Sequence, residues 1–277
     1  MRLGGPVFEG LDDPAAWVRA LNESGYTAAY LHVDPDAGDG VVTAYAEAAR
    51  QAGIVIAEVG AWSNPLSRDD ATRRAAMANC ERRLAMADRA GARCCVNIAG
   101  SRGEKWDGPC PDDLRDETFD LIVATVREII DAVKPTRTYY TLETMPWMYP
   151  DSADAYLRLI KAIDRDRFAV HLDPVNLVCS PQRYFANGAL IRECFAKLGG
   201  RIRSCHGKDV ILQQGLLTHL DEVRPGLGML DYAVFIEELD RLSPDIPLML
   251  EHLSSPEEYR LAADYVRSVA REVGIPC

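Results

Sequence analysis

Eight short apolar runs, each followed by a segment of helical periodicity, succeed one another along this chain of 277 residues without a break. Period and punctuation place strands at Arg2 to Phe8, Ala28 to Val33, Ile54 to Val59, Cys94 to Ile98, Thr138 to Glu143, Phe168 to Asp173, Ile202 to His206 and Pro247 to Glu251. Helical patterns follow at Asp13 to Ser24, Val41 to Ala52, Arg68 to Ala90, Leu114 to Val133, Ser152 to Ile163, Pro181 to Leu198, Tyr232 to Leu242 and Pro256 to Val273. Strands separated by helices must run parallel through right-handed crossovers, and eight such units close into a barrel more naturally than they spread into an open sheet. The expectation is an α/β fold, one (β/α)8 TIM barrel domain over residues 1–277, close to the roughly 250 residues usual for that architecture. A doubly wound open sheet is the structural rival, but no GxGxxG follows the first strand.

Local signals agree with this division. Asp13 before Pro14, Ser152 after Pro150 and Ser255 before Pro256 put a capping side chain or a first-turn proline where unpaired helix amides need one. Gly25, Gly53, Gly91 and Gly199 follow helix ends, where the chain turns through conformations that glycine adopts freely.

Four of the strands end on a side chain able to hold a divalent metal: Glu143, Asp173, His206 and Glu251. In a barrel of parallel strands such ends converge on one mouth, bringing three carboxylates and an imidazole to one place. Any one of them alone reads more simply as a satisfied polar cap; the set of four is an active-site pattern.

The net charge of −11 argues against nucleic acid or an anionic membrane as partner, since both would be repelled at long range. The eight cysteines contain no CxxC pair, no leader-like segment opens the chain, and the apolar runs are too short to span a bilayer. A reducing cytoplasm is the expected compartment, with the thiols as small buried hydrophobes. A homo-oligomer is compatible with all of this. The loops after strands are uneven, the longest being GKDVILQQGLLTHLDEVRPGLGML after the seventh; their Trp, Arg, Lys and Gly suit a wall and lid over a polar substrate.

With LET at 142 to 144, HLDPVN at 171 to 176, CHGKD at 205 to 209, PGLGMLDY at 225 to 232 and LEH at 250 to 252, the chain resembles, over nearly its whole length, the xylose-isomerase-like TIM-barrel superfamily of sugar isomerases and epimerases. The resemblance implies one divalent cation, Mn²⁺ first with Mg²⁺ or Co²⁺ as alternatives, bound by Glu143, Asp173, His206 and Glu251. An O,O,N,O set without thiolate suits these ions better than structural zinc. It also implies that Glu143 and Glu251 exchange a proton on opposite faces of a keto sugar through an enediolate. One departure limits the match: the D-tagatose 3-epimerase branch has a His three residues after the sixth-strand Asp, where this chain has Asn176. The extra ligands of the more distant endonuclease IV are missing, because His32, Glu58, Asn97 and His171 are too few and partly of the wrong type.

Further substrate-binding candidates are Asn176, Lys208 of HGKD, His171 two residues before Asp173, Glu58 near the end of the third strand, Trp62 and Trp147 on loops, and Arg224 before the PGLG turn. Each has a plain structural reading beside it: a core histidine, a buried ion pair, an aromatic packed under a loop, a solvated arginine. No glycine-rich phosphate cradle follows the last strands, which favours an unphosphorylated carbohydrate. The leading function is therefore a metal-dependent isomerase or epimerase of a keto sugar or related polyol. The alternative is a lyase acting on a keto sugar, inosose or 3-keto-glycoside through the same intermediate, and a third class is a non-catalytic sugar-binding barrel.

Overall fold

The computed structural model describes residues 1–277. Eight parallel strands, β1 (Arg2–Gly4), β2 (Ala28–Tyr30), β3 (Val55–Gly60), β4 (Cys94–Asn97), β5 (Tyr140–Glu143), β6 (Phe168–Leu172), β7 (Ile202–Gly207) and β10 (Pro247–Leu250), close a barrel in that order, with β10 pairing back onto β1. The remaining two, β8 (Asp209–Leu212) and β9 (Leu220–Val223), form a separate antiparallel hairpin after β7. Helices α1 (Pro14–Glu23), α2 (Asp39–Gln51), α3 (Asp70–Ala90), α4 (Asp116–Val133), α5 (Ala153–Ile163), α6 (Pro181–Phe185), α7 (Asn187–Leu198), α8 (Tyr232–Leu242) and α9 (Pro256–Glu272) complete the chain. The TIM barrel expected from the alternation is the fold observed. No helix is long and apolar enough to cross a membrane.

The strands are buried on both faces, which is why they read as near-continuous apolar runs rather than alternating ones. Inside the barrel Met249 is wholly buried and packs against Ala28 and Ala57. Space for its thioether depends on Gly4, where a Cβ would lie 2.6 Å from the sulfur and 2.5 Å from the Ala28 carbonyl. Outside, the helices lay apolar stripes on the strands, and a single contiguous cluster of 70 buried residues makes the barrel and its helices one domain. The expected caps form: Asp13, Ser152 and Ser255 accept from the amides of Ala16, Ala155 and Glu258. Gly25, Gly53 and Gly91 take left-handed φ values of 65°, 70° and 69° after their helices.

Three details differ from the sequence reading. The first two strands are shorter than expected, because the chain leaves the ladder after Gly4 and Tyr30. The helix expected over Pro181 to Leu198 breaks at Ala186 (φ −120°, ψ 27°). There Asn187 turns its side chain to the carbonyls of Tyr184 and Met229 and accepts from the amide of Asp231, tying the break to the start of α8. The long segment after β7 begins as the β8–β9 hairpin rather than an irregular loop.

Candidate active site

The floor of the barrel mouth is built by residues that interlock across neighbouring strands. Thr144, just past β5, accepts from the amide of Asp173 at 2.9 Å and donates to its carbonyl at 2.8 Å, fixing the LET and HLDPVN segments to each other. Asp173 Oδ1 accepts from the amides of Val175 and Asn176, leaving Oδ2 for the mouth. Asn176 in turn donates through Nδ2 to Glu143 Oε1 (3.0 Å) and to the Thr144 carbonyl (3.1 Å).

Ligand atoms of Glu143, Asp173, His206 and Glu251 all lie within 4.8 Å of one another. His206 Nδ1 is 3.2 Å from Glu143 Oε1 and 2.8 Å from Glu251 Oε1, so the two glutamates flank the imidazole. Lys208 Nζ stands 2.9 Å from Asp173 Oδ2 and 2.8 Å from Glu251 Oε1, close enough for charge attraction but off the hydrogen-bonding direction. Both oxygens are buried and face positive charge, that of Lys208 in each case and of the His206 imidazole as well for Glu251. Buried carboxylates gathered this closely persist only where positive charge is gathered with them. The donor set, three carboxylates and one imidazole, has the hardness that Mn²⁺ or Mg²⁺ requires, so the residues present fit a divalent ion.

The electrostatics agree. Burial alone would push every carboxyl here upward, and for Asp173 it prevails: Lys208 pulls the other way, Glu143 and Glu251 add to the rise, and the group reaches about 6. For Glu143 and Glu251 burial is outweighed, chiefly by the His206 charge with help from Lys208, and both are held below the usual carboxylate range. Burial would lower His206, but Glu251, Glu58 and Glu143 drive it well above the ordinary histidine value. The cluster carries more negative charge than Lys208 and one imidazole comfortably balance.

Glu58 and His171 do not reach the mouth. Both are fully buried, one layer beneath it. Glu58 Oε1 is 2.8 Å from His171 Nε2 and also accepts from the Ser204 hydroxyl, while Oε2 is 3.3 Å from His206 Nε2. With an ion in place of the Nδ1 proton, an Nε2–H of His206 donated to Glu58 would leave the Nδ1 lone pair for that ion, the arrangement by which a carboxylate orients a metal-binding histidine. Burial pushes Glu58 up but the two histidines outweigh it, holding its carboxyl down at about 2.

The mouth opens into a cavity of about 560 Å³, lined among others by Glu143, Glu251, Asn176, Lys208, Trp62 and Trp147. Trp62 leans toward His206, ring centroids 6.4 Å apart, and Trp147 donates its indole N–H to the Asp107 carbonyl, joining the loops after β4 and β5. Trp106 lines the same wall and was not singled out from sequence, although it stands in the loop after the fourth strand. Arg224 does not line the cavity; its mostly buried side chain pairs with Glu258 at 2.9 Å.

The fold and this strand-end cluster occur together with a sequence match to the family model described as xylose isomerase-like TIM barrel, which covers residues 18–269. The chain belongs to that family. No curated protein matches it. Among solved structures, it is similar to an L-ribulose 3-epimerase, at a TM-score of 0.71 and 16% identity over 98% of this chain and 93% of that one. A second is the probable 3-DHS dehydratase of petrobactin synthesis from Bacillus anthracis, at 0.69 and 15% over 97% and 98%. A third is a xylose isomerase-like TIM barrel protein from Mycobacterium smegmatis in complex with magnesium, at 0.67 and 16% over 98% and 96%. At these identities the likeness establishes a shared fold.

Within this xylose isomerase-like barrel, the Asp of HGKD has a role that the sequence left unread. Asp209 is fully buried and accepts four backbone amides: Val210 and Leu230 on Oδ1 (2.9 and 2.8 Å), Gly226 and Gly228 on Oδ2 (3.0 Å each). The PGLG turn exists for this contact. Gly226 sits at φ 96°, and a Cβ on Gly228 would meet Asp209 Oδ1 at 2.3 Å. One carboxylate thus folds the long segment after β7 back on itself and fixes the hairpin beside Lys208. Asp209→Ala should leave several buried amides unpaired and destabilise the protein by about 3 kcal/mol, seen as a lower denaturation midpoint and fast hydrogen exchange at Gly226, Gly228 and Leu230. Unchanged exchange at those amides would contradict this role.

Proposed function

We propose that the chain is a divalent-metal-dependent isomerase or epimerase of a keto sugar or related polyol. The observation that carries this reading is the quartet of Glu143, Asp173, His206 and Glu251, whose ligand atoms converge within 4.8 Å of one another at the barrel mouth. Mn²⁺ is the proposed ion, with Mg²⁺ and Co²⁺ as substitutes of similar hardness; one structural relative was crystallised with magnesium. When bound, such an ion polarises a carbonyl oxygen and makes a proton on the neighbouring carbon acidic.

The chain's own groups supply the rest. Glu143 and Glu251 are ionised at neutral pH and flank His206, so each can take or return that proton from its own side. Asn176 restrains Glu143 through its amide and offers its carbonyl to Lys208 at 3.4 Å. Lys208 and Asn176 face the cavity and are suited to substrate hydroxyls, while Trp62, Trp106 and Trp147 offer apolar faces for a sugar ring. Glu58 and His171 act from beneath, holding His206 in the tautomer that presents Nδ1. Glu58→Gln is accordingly expected to weaken Mn²⁺ binding by about 10- to 100-fold in calorimetry, with little change in the far-ultraviolet spectrum. Wild-type affinity in that variant would remove Glu58 from the site.

A second reading has its own support. Removal of the same proton beside a carbon bearing a leaving group ends in elimination, Lys208 brings an ammonium to the same cavity, and one structural relative is a probable dehydratase. Product analysis separates the two. Incubating the Mn²⁺-loaded protein with keto sugars, inososes and 3-keto-glycosides should give rearranged isomers of unchanged mass; loss of water or an aglycone would assign the lyase, and no conversion of any of them would overturn both.

A further inference from the structure

Three residues other than glycine adopt left-handed backbone: Lys134, Asp164 and His252. The first two end α4 and α5, a common place for that conformation. His252 (φ 58°) caps no helix; it is the residue immediately after Glu251, where β10 leaves the barrel. A side chain in this region costs free energy that glycine would spare, and such positions persist where the surroundings hold them.

What the turn accomplishes is to swing the imidazole over the cavity. His252 Nδ1 lies 3.2 and 3.3 Å from the two carboxylate oxygens of Glu222, and Nε2 lies 3.7 Å from Glu251 Oε2. Glu222 comes from β9, so the hairpin clamped by Asp209 is what delivers it, and both residues line the same cavity as Lys208. Stability does not explain the pair. The His252 and Glu222 side chains are 58% and 37% exposed, and an ion pair so placed contributes little. With Nδ1–H donated to Glu222, the ring is fixed and its Nε2 edge is presented on the rim, one residue from the floor and 3.7 Å from Glu251 Oε2.

We propose that His252, oriented by Glu222, is a substrate-binding residue that sets specificity by hydrogen bonding to a hydroxyl on the part of the sugar beyond its reacting carbons. This rests on the reading of the site as one for a polyhydroxylated carbonyl compound. It assigns to the β8–β9 hairpin the task of placing Glu222, and through it the imidazole.

The test compares the wild type with His252→Gly, His252→Asn and Glu222→Gln, each loaded with Mn²⁺, using solvent-deuterium exchange into D-fructose, D-psicose and methyl 3-keto-glucoside as the assay. Glycine relieves the backbone while deleting the imidazole, so the expected His252→Gly protein has an equal or higher Tm, Mn²⁺ affinity within about twofold of wild type, and a KM for the best probe raised at least about tenfold with a smaller change in kcat, the scale of one lost hydrogen bond. His252→Asn, which tolerates the left-handed backbone and keeps a hydrogen-bonding side chain, should recover part of that loss. Glu222→Gln should raise KM in the same direction by less. An unchanged KM in His252→Gly overturns the inference, as does a KM rise that tracks a fall in Tm or Mn²⁺ affinity. No exchange by the wild type into any of the three probes would instead overturn the reading of the site itself, and this inference with it.

Discussion

Glu251→Gln and Glu143→Gln are each expected to lower turnover by at least about a hundredfold at saturating Mn²⁺, the usual scale for losing a general acid or base. The amide keeps the shape of the side chain and one ligating oxygen, so the loss reports on the proton rather than on the floor of the site. Both carboxyls are held below the ordinary range despite burial, by His206 first and Lys208 after it. A base that is ionised but enclosed needs a strongly acidified proton to act on, which is what a polarised carbonyl provides. The two variants should also differ from each other. If the glutamates work on opposite faces of the substrate, one variant retains exchange of a proton in one epimer and loses it in the other, which deuterium labelling of each purified epimer reads directly. A fully metallated variant with near-normal turnover removes that glutamate from the chemistry.

Asp173→Ala and His206→Ala should bring metal content from about one ion per chain to below detection after desalting, and activity should fall with it. Asp173 contributes the oxygen that faces Lys208, and His206 contributes the one nitrogen of the set, aligned from beneath by Glu58. Asp173→Ala also loses two amide caps and a counter-charge of Lys208, and His206→Ala leaves Lys208 alone to balance the carboxylates, so both variants are expected to fold with lowered melting temperatures. Undiminished metal in both would sink the ligand assignment, and loss of metal together with global unfolding would be resolved by Asp173→Asn, which preserves the caps to Val175 and Asn176 through its carbonyl oxygen.

The strand ends were legible in the sequence because a barrel strand buried on both faces is apolar throughout, so a charged residue closing it stands out against its own strand. Glu143 and Asp173 are cases of this, following YTL and FAVHL. Depth was harder to read. Glu58 and His171 sit on strands that run on past them, to Gly60 and Leu172, and a two-residue step along the chain returns a side chain to the same face one layer lower. Both were therefore visible as candidates for the site while their place beneath it was not. The β8–β9 hairpin left no turn signature of the two-residue kind, since seven residues separate its strands. Asp209 was hidden for a different reason: its partners are backbone amides, which leave no trace in a sequence beyond the glycines that let them approach. His252 was quoted within LEH, but only the backbone angle distinguishes a rim residue from a solvated one.

The central claim is that this metal-dependent site removes a proton from carbon beside a carbonyl. It is tested most directly by incubating the purified protein with a keto sugar in D₂O, with Mn²⁺ and after exhaustive chelation, and following deuterium at the carbons next to the carbonyl by NMR and mass spectrometry. The account predicts incorporation at one such carbon with Mn²⁺, its loss on chelation and its return on adding the ion. Turnover of the same sugar without solvent deuterium entering any of those carbons, or incorporation indifferent to chelation, would contradict it.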